Sequence, residues 1–227
     1  MKKTIIALAA TAIIGQAAAN AQDNIFDAGD SNRPYFGIRV SFDAPLPCKL
    51  SNGVFDIDLF NNGAGFSAGA VYNIPLWKNL YFEPGLSIFY NAIGYDIETP
   101  EYPSSTSDVN MSARRFGFRI PLSVGYRFDL SACSLYAYTG PEIEAGVVGR
   151  THLSAKSDGL KVSESENLYT EDGFHRFDLQ WKLGVGVSVD RYYLGLSGNI
   201  GMCNIVRLGE GVSMHQNLFQ LTLGYNF

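Results

Sequence analysis

The sequence predicts an all-β fold: an eight-stranded antiparallel up-and-down transmembrane β-barrel with short periplasmic turns and long extracellular loops. Three observations predict it. Apolar and polar residues alternate with a period of two over eight segments, as in strands with one face in an apolar medium and one in a polar space. The connections between those segments alternate between long and short, which gathers the long ones at one end. The apolar faces hold no charge, whereas the opposite faces hold charges of both signs.

Composition agrees with this reading. The 227 residues are 17% charged and 46% apolar, enough for one domain rather than two. Mean hydropathy is zero, which is compatible with a membrane because barrel strands cancel their own signal. Glycine (24), tyrosine (13) and phenylalanine (15) are all abundant, as tightly closed sheets anchored at membrane interfaces require. A net charge of −5 and the lack of a basic stripe argue against a nucleic-acid partner.

The chain divides into residues 1–21 as a signal peptide, 22–34 as a periplasmic lead-in and 35–227 as the barrel. Lys2 and Lys3 precede a short apolar centre, Thr4 to Ile14, and Ala19-Asn20-Ala21 gives a small-x-small cleavage pattern.

The first strand runs from Tyr35 to Ala44, with Phe36, Ile38, Val40 and Phe42 on one face and Arg39, Ser41 and Asp43 on the other. Pro45 and Pro47 end it, and Leu50 to Asn62 reads as a loop. The second strand, Gly63 to Ile74, is joined by a tight connection to the third, Leu80 to Ala92. Tyr95 to Ser112 is a long polar loop. The fourth strand alternates most cleanly, Phe116 through Phe128 against Arg115, Arg119 and Arg127. A short turn leads to the fifth, Leu135 to Val148, in which Glu142 and Glu144 share a face with Tyr136 and Tyr138. Gly149 to Gly173 reads as the longest loop. The sixth strand, His175 to Val189, turns at Asp190-Arg191 into the seventh, Tyr192 to Met202. After a loop from Ile205 to Met214, the eighth strand, Leu218 to Phe227, closes the barrel against the first.

Two physical consequences follow. One Arg or Lys on the lipid face costs about 2–4 kcal/mol at the bilayer midplane, so the charge-free face is selected for. Aromatics fall into two girdles: Tyr72, Trp77, Phe82, Tyr126, Phe128, Tyr192, Tyr225 and Phe227 at the turn end, and Phe42, Phe66, Tyr90, Phe116, Phe177 and Phe219 at the loop end. On the inner face Arg39, Arg115, Arg119, Arg127 and Lys182 oppose Asp43, Glu83, Glu142, Glu144, Asp178 and Asp190. Eight strands leave room only for side chains, so a packed polar core is expected, with Arg119 beside Glu144. The expected structural charge network is Arg39, Glu83, Arg119, Glu142, Glu144 and Lys182.

Several stretches, NLYFEPGLSIFY, IPLSVGYRF, LYAYTGPEIEAG, LGVGVSV and LTLGYNF, resemble the PorT-like outer-membrane β-barrel family of Bacteroidetes. That family is similar in architecture to OmpA- and OmpX-like barrels, and its founding member is implicated in protein secretion. The resemblance implies location in the outer membrane of a Gram-negative bacterium after export. It also implies contact with outer-membrane lipid or lipopolysaccharide. Phe227 would be an assembly signal for the barrel-assembly machinery, because barrels of this kind end on an aromatic.

No catalytic, cofactor or metal site is expected. There is no CxxC and no histidine at metal-ligand spacing, and Asp56 and Asp58 do not complete a calcium loop. Ser213, His215 and Glu210 would form a triad only if they met in space, and the buried acid pair Glu142 and Glu144 sits among arginines. Arg114 and Arg115 at the outer rim are candidates for lipopolysaccharide phosphates. Cys48 and Cys203 share the loop end, so a disulfide would need loop flexibility, while Cys133 should be free. The expected role is structural or interactive, through extracellular loops toward a partner of unknown identity. The alternatives are a narrow permeation barrel and a rim enzyme acting on lipid or peptide.

Overall fold

The computed structural model describes residues 33–47, 49–51, 56–58, 63–96, 108–157, 160–171, 173–207 and 211–227. The signal peptide, most of the lead-in, Cys48 and Glu210 lie outside them.

In chain order the strands are β1 (Tyr35–Pro45), β2 (Lys49–Ser51), β3 (Asp56–Asp58), β4 (Gly63–Trp77), β5 (Leu80–Asp96) and β6 (Asp108–Asp129). They continue as β7 (Ser134–Ser157), β8 (Leu160–Asn167), β9 (Phe177–Val189), β10 (Tyr192–Gly201), β11 (Ser213–Met214) and β12 (Leu218–Asn226). Eight of them, β1, β4, β5, β6, β7, β9, β10 and β12, pair antiparallel around a closed ring. The seam is the expected one. β1 meets β12 from Gly37↔Asn226 to Pro45↔Leu218, so neither edge is left open.

Burial is the inverse of a soluble protein's. Arg119, Glu142 and Glu144 are each 1% exposed, whereas Phe66, Trp77 and Leu223 expose 59, 70 and 61%. In β1, Ile38, Val40 and Phe42 point out while Arg39, Ser41 and Asp43 point in. Most residues of the two aromatic girdles lie exposed on the outer surface, and rings touch within them: Tyr126 lies 4.7 Å from Phe128 and Tyr225 5.0 Å from Phe227.

Four readings of the loops are corrected. The stretch from Gly149 to Gly173 is not a loop over its length. β7 continues to Ser157 and returns as β8, paired from Arg150↔Asn167 to Ser157↔Leu160. β5 and β6 likewise extend to Asp96 and back to Asp108, shortening the loop read at Tyr95 to Ser112. The alternation continues there, Val109, Met111 and Ala113 against Asn110, Ser112 and Arg114, but in a stretch rich in polar residues. The stretches 50–62 and 205–214 supply β2, β3 and β11, which form a separate three-stranded sheet over the mouth. The sixth strand begins at Phe177, because the His175 amide bonds the Ile205 carbonyl instead of a barrel partner. Asp190 is also no interior charge. It sits exposed in the β9–β10 turn at φ 51°.

Candidate functional site

The inward side chains stack in three layers. The middle one is ionic. Cross-strand register sets Arg119 on β6 opposite Glu144 on β7, and Glu144 opposite Asp178 on β9. Arg119 donates through Nε to Glu144 Oε2 at 2.9 Å and through Nη1 to Asp43 Oδ2 on the far wall, and its Nε is 3.8 Å from Glu142 Oε1. Arg115 donates to Glu144 Oε1. Glu142 in turn accepts from Lys182 Nζ at 2.9 Å and from Asn199 Nδ2 at 2.7 Å. Lys182 also donates to Gln220 Oε1 at 2.8 Å, and the Gln220 amide donates to Asp43 Oδ1 at 2.9 Å. Ser67 adds a bond to Asp43 at 3.1 Å, and the Phe89 ring lies 4.2 Å beneath the Arg119 guanidinium. Every barrel strand contributes a side chain to this layer.

The energetics follow from burial. A charge taken out of water is tolerated only when paired and hydrogen-bonded, and stripping one partner from such a pair costs about 3–5 kcal/mol. The interior cations Arg39, Arg115, Arg119, Arg127 and Lys182 match in number the carboxylates Asp43, Glu83, Glu142, Glu144 and Asp178.

Toward the turn end lies an aromatic layer of Tyr81, Tyr136 and Tyr193, their rings edge-on at centroid distances of 5.8 Å. Glycines opposite make the room. A Cβ on Gly186 would sit 2.4 Å from the Tyr193 hydroxyl, and one on Gly184 2.4 Å from Tyr138 Cζ. The Arg39 guanidinium stacks 4.3 Å over Tyr193. Toward the loop end Ile93, Ala113, Leu168, Tyr169, Ile205, Val206 and Met214 form an apolar stopper across the mouth.

Of the expected network, Arg119, Glu142, Glu144 and Lys182 are joined in one set of bonds. Arg39 and Glu83 stand apart from it. Glu83 accepts from Asn73 at 3.2 Å, Arg39 bonds its neighbour's carbonyl, and both face a cavity of about 70 Å³ shared with Glu142 and Lys182. That space suits a few water molecules. Sequence reasoning left Asp43, Arg115, Gln180, Asn199 and Gln220 out of the site. Their inward position in the alternation was the available signal. Arg115 is corrected in particular: it is buried against Glu144 and cannot serve the outer rim. Arg127 pairs with Asp129 at 2.9 Å near the turn end.

Among the described residues His215 and Ser213 make no hydrogen bond to each other, and the third member of that set, Glu210, lies outside them. His175 Nδ1 accepts from Arg207 Nε at 3.2 Å, His215 is exposed, and Ser213 lies in β11. Cys133 and Cys203 are free thiols.

A family model described as outer membrane protein beta-barrel domain matches residues 21–201. No curated protein matches the chain in sequence. Among solved structures it is similar to Ail, the attachment invasion locus protein of Yersinia pestis, at 14% identity and a TM-score of 0.39, over 86% of this chain and 99% of that one. It is also similar to OprG of Pseudomonas aeruginosa, at 11% identity and a TM-score of 0.42, over 86% of this chain and 97% of that one. With the family model spanning most of a closed barrel whose polar side faces inward, the chain belongs to the outer membrane protein beta-barrel domain family and resides in the outer membrane of a Gram-negative bacterium.

Proposed function

We propose that this protein is a non-conducting, non-enzymatic barrel that acts through the part of it standing above the membrane. The observation that carries the reading is the stacking of three closures in one lumen. The tyrosine layer, the ionic layer tied to every strand and the apolar stopper at the mouth lie one above another in a lumen that eight strands leave only wide enough for side chains. What remains for function is the crown, where the upper parts of β5, β6 and β7 rise above the girdle and, with β8 paired to β7, form one sheet. A rigid sheet on a closed membrane anchor suits recognition of an extracellular partner.

Planar-bilayer recording tests the lumen. The expected trace holds no stable step, and reproducible steps of one size would favour the permeation reading instead. The stretches resembling PorT-like members support a place in that subgroup.

A further inference from the structure

On the outer surface just above the loop-end girdle, Arg114 of β6 and Arg150 of β7 stand directly opposite each other. Both are exposed, and neither makes an ion pair or hydrogen bond with a described residue. Like charges in directly opposed positions of a ladder repel, so a pair kept there calls for an anion between or beside them.

The surroundings say which anion. Next to this pair β7 changes partner. Its last pair with β9 is Ala145↔Phe177 and its first with β8 is Arg150↔Asn167. The fork between encloses a hollow of about 550 Å³ edged by Val147, Val148, Arg150, Ser165, Asn167 and Arg176. Arg176 is fixed in place: its Nη1 donates to the Val147 carbonyl at 2.9 Å and its guanidinium lies 4.7 Å over the Tyr169 ring. Glu166 also borders the hollow, and the guanidinium groups outnumber it.

Depth matters as much as charge. Arg114 is two residues beyond Phe116 and Arg176 adjoins Phe177, and both aromatics belong to the girdle. At about 3.3 Å of rise per residue the cations sit within about 7 Å of it, the level of lipid headgroups. The register break after Phe116 turns two consecutive valines outward, Val147 at 45% and Val148 at 50% exposure. An apolar step thus lies directly below a cationic one.

We propose that Arg114, Arg150 and Arg176 bind a phosphate of an outer-leaflet glycolipid, with Val147 and Val148 against the start of its acyl chains. Arginine matches phosphate by paired N–H donors, which lysine does not reproduce.

The refolded full barrel in detergent micelles tests this, with a phosphorylated lipid A, the same lipid after phosphate removal, and inorganic phosphate as probes. Migration without heating on a denaturing gel confirms that each variant is folded. Wild type is expected to bind the phosphorylated lipid at least about tenfold more tightly than the dephosphorylated one, and R114Q and R150Q are each expected to lose about tenfold. R150K should retain part of the binding, and Lys78→Asn, at the opposite end of the barrel, should change nothing. Undiminished binding by the folded triple glutamine variant overturns the site. Equal binding of dephosphorylated lipid overturns the phosphate, and inorganic phosphate held as tightly as the lipid overturns the lipid as its source.

Discussion

Arg119 and Glu144 face each other squarely across the β6–β7 ladder, 2.9 Å apart through Nε and Oε2, with 1% of either residue exposed. Glu144 carries two guanidinium groups, those of Arg115 and Arg119, so its removal takes a carboxylate partner from both and leaves Arg119 with Asp43 and Glu142.

Glu144→Ala is therefore expected to destabilise the barrel by about 3–5 kcal/mol, read as a lowered urea midpoint in lipid vesicles. Replacing Arg115, Arg119, Glu144 and Asp43 together by apolar residues of similar volume should recover much of that loss, since Glu142 keeps Lys182 and Asn199. A quadruple variant as unstable as the single one would contradict the account.

The tyrosine layer fits against bare backbone. Gly186→Val places a methyl-bearing carbon where the Tyr193 hydroxyl already lies, so a loss of about 1–3 kcal/mol is expected in the same assay. The double variant with Tyr193→Phe should be less affected, since it removes the oxygen in closest approach.

Leu223 projects from β12 beside Val40 of β1 and Leu194 of β10, all on the outer face. Leu223→Arg is expected to cost about 2–4 kcal/mol in vesicles. The penalty should shrink in short-chain detergent, where water reaches the side chain. An equal penalty in both media would place this face away from acyl chains.

Phe227 packs at 6.0 Å from the Phe36 ring and 5.0 Å from that of Tyr225, and its amide bonds the Phe36 carbonyl at 2.8 Å. Phe227→Ala should cost about 1 kcal/mol of stability. Slower appearance of the folded form in cells, beyond what a girdle alanine such as Phe128→Ala causes, would mark the added role as an assembly signal. Identical kinetics for the two would remove it.

The barrel was readable because membrane strands must alternate and because a turn fixes register. From Asp129↔Ser134 the β6–β7 pairing runs to Arg119↔Glu144 before the break after Phe116, so counting back from the turn located that pair. Asp43 was not assigned to the same group because β1 and β6 are not neighbours: Arg119 reaches it across the lumen, a distance no local pattern encodes. The crown was obscured for a different reason. Few large apolar residues carry its alternation, Val109, Met111, Leu153 and Val162 among them, and the hairpin dipeptide Asp158-Gly159 between Ser157 and Leu160 is embedded in a serine- and glutamate-rich stretch. The outer arginines are half legible: the sequence places Arg114 at the rim, whereas Arg150 and Arg176 join it only through the partner change of β7.

The ionic layer also constrains how the chain reaches its final state. Asp43 lies on β1, one lip of the seam, and takes its hydrogen bond from Gln220 on β12, the other lip. Before those lips meet, Asp43 is missing a donor, and Arg119 and Lys182 lack the shared frame that satisfies them. A half-zipped sheet must therefore keep its concave side wet, and water leaves only when the ring shuts. Sealing and drying become a single event, in which the last strand completes a circuit of charges begun by the first.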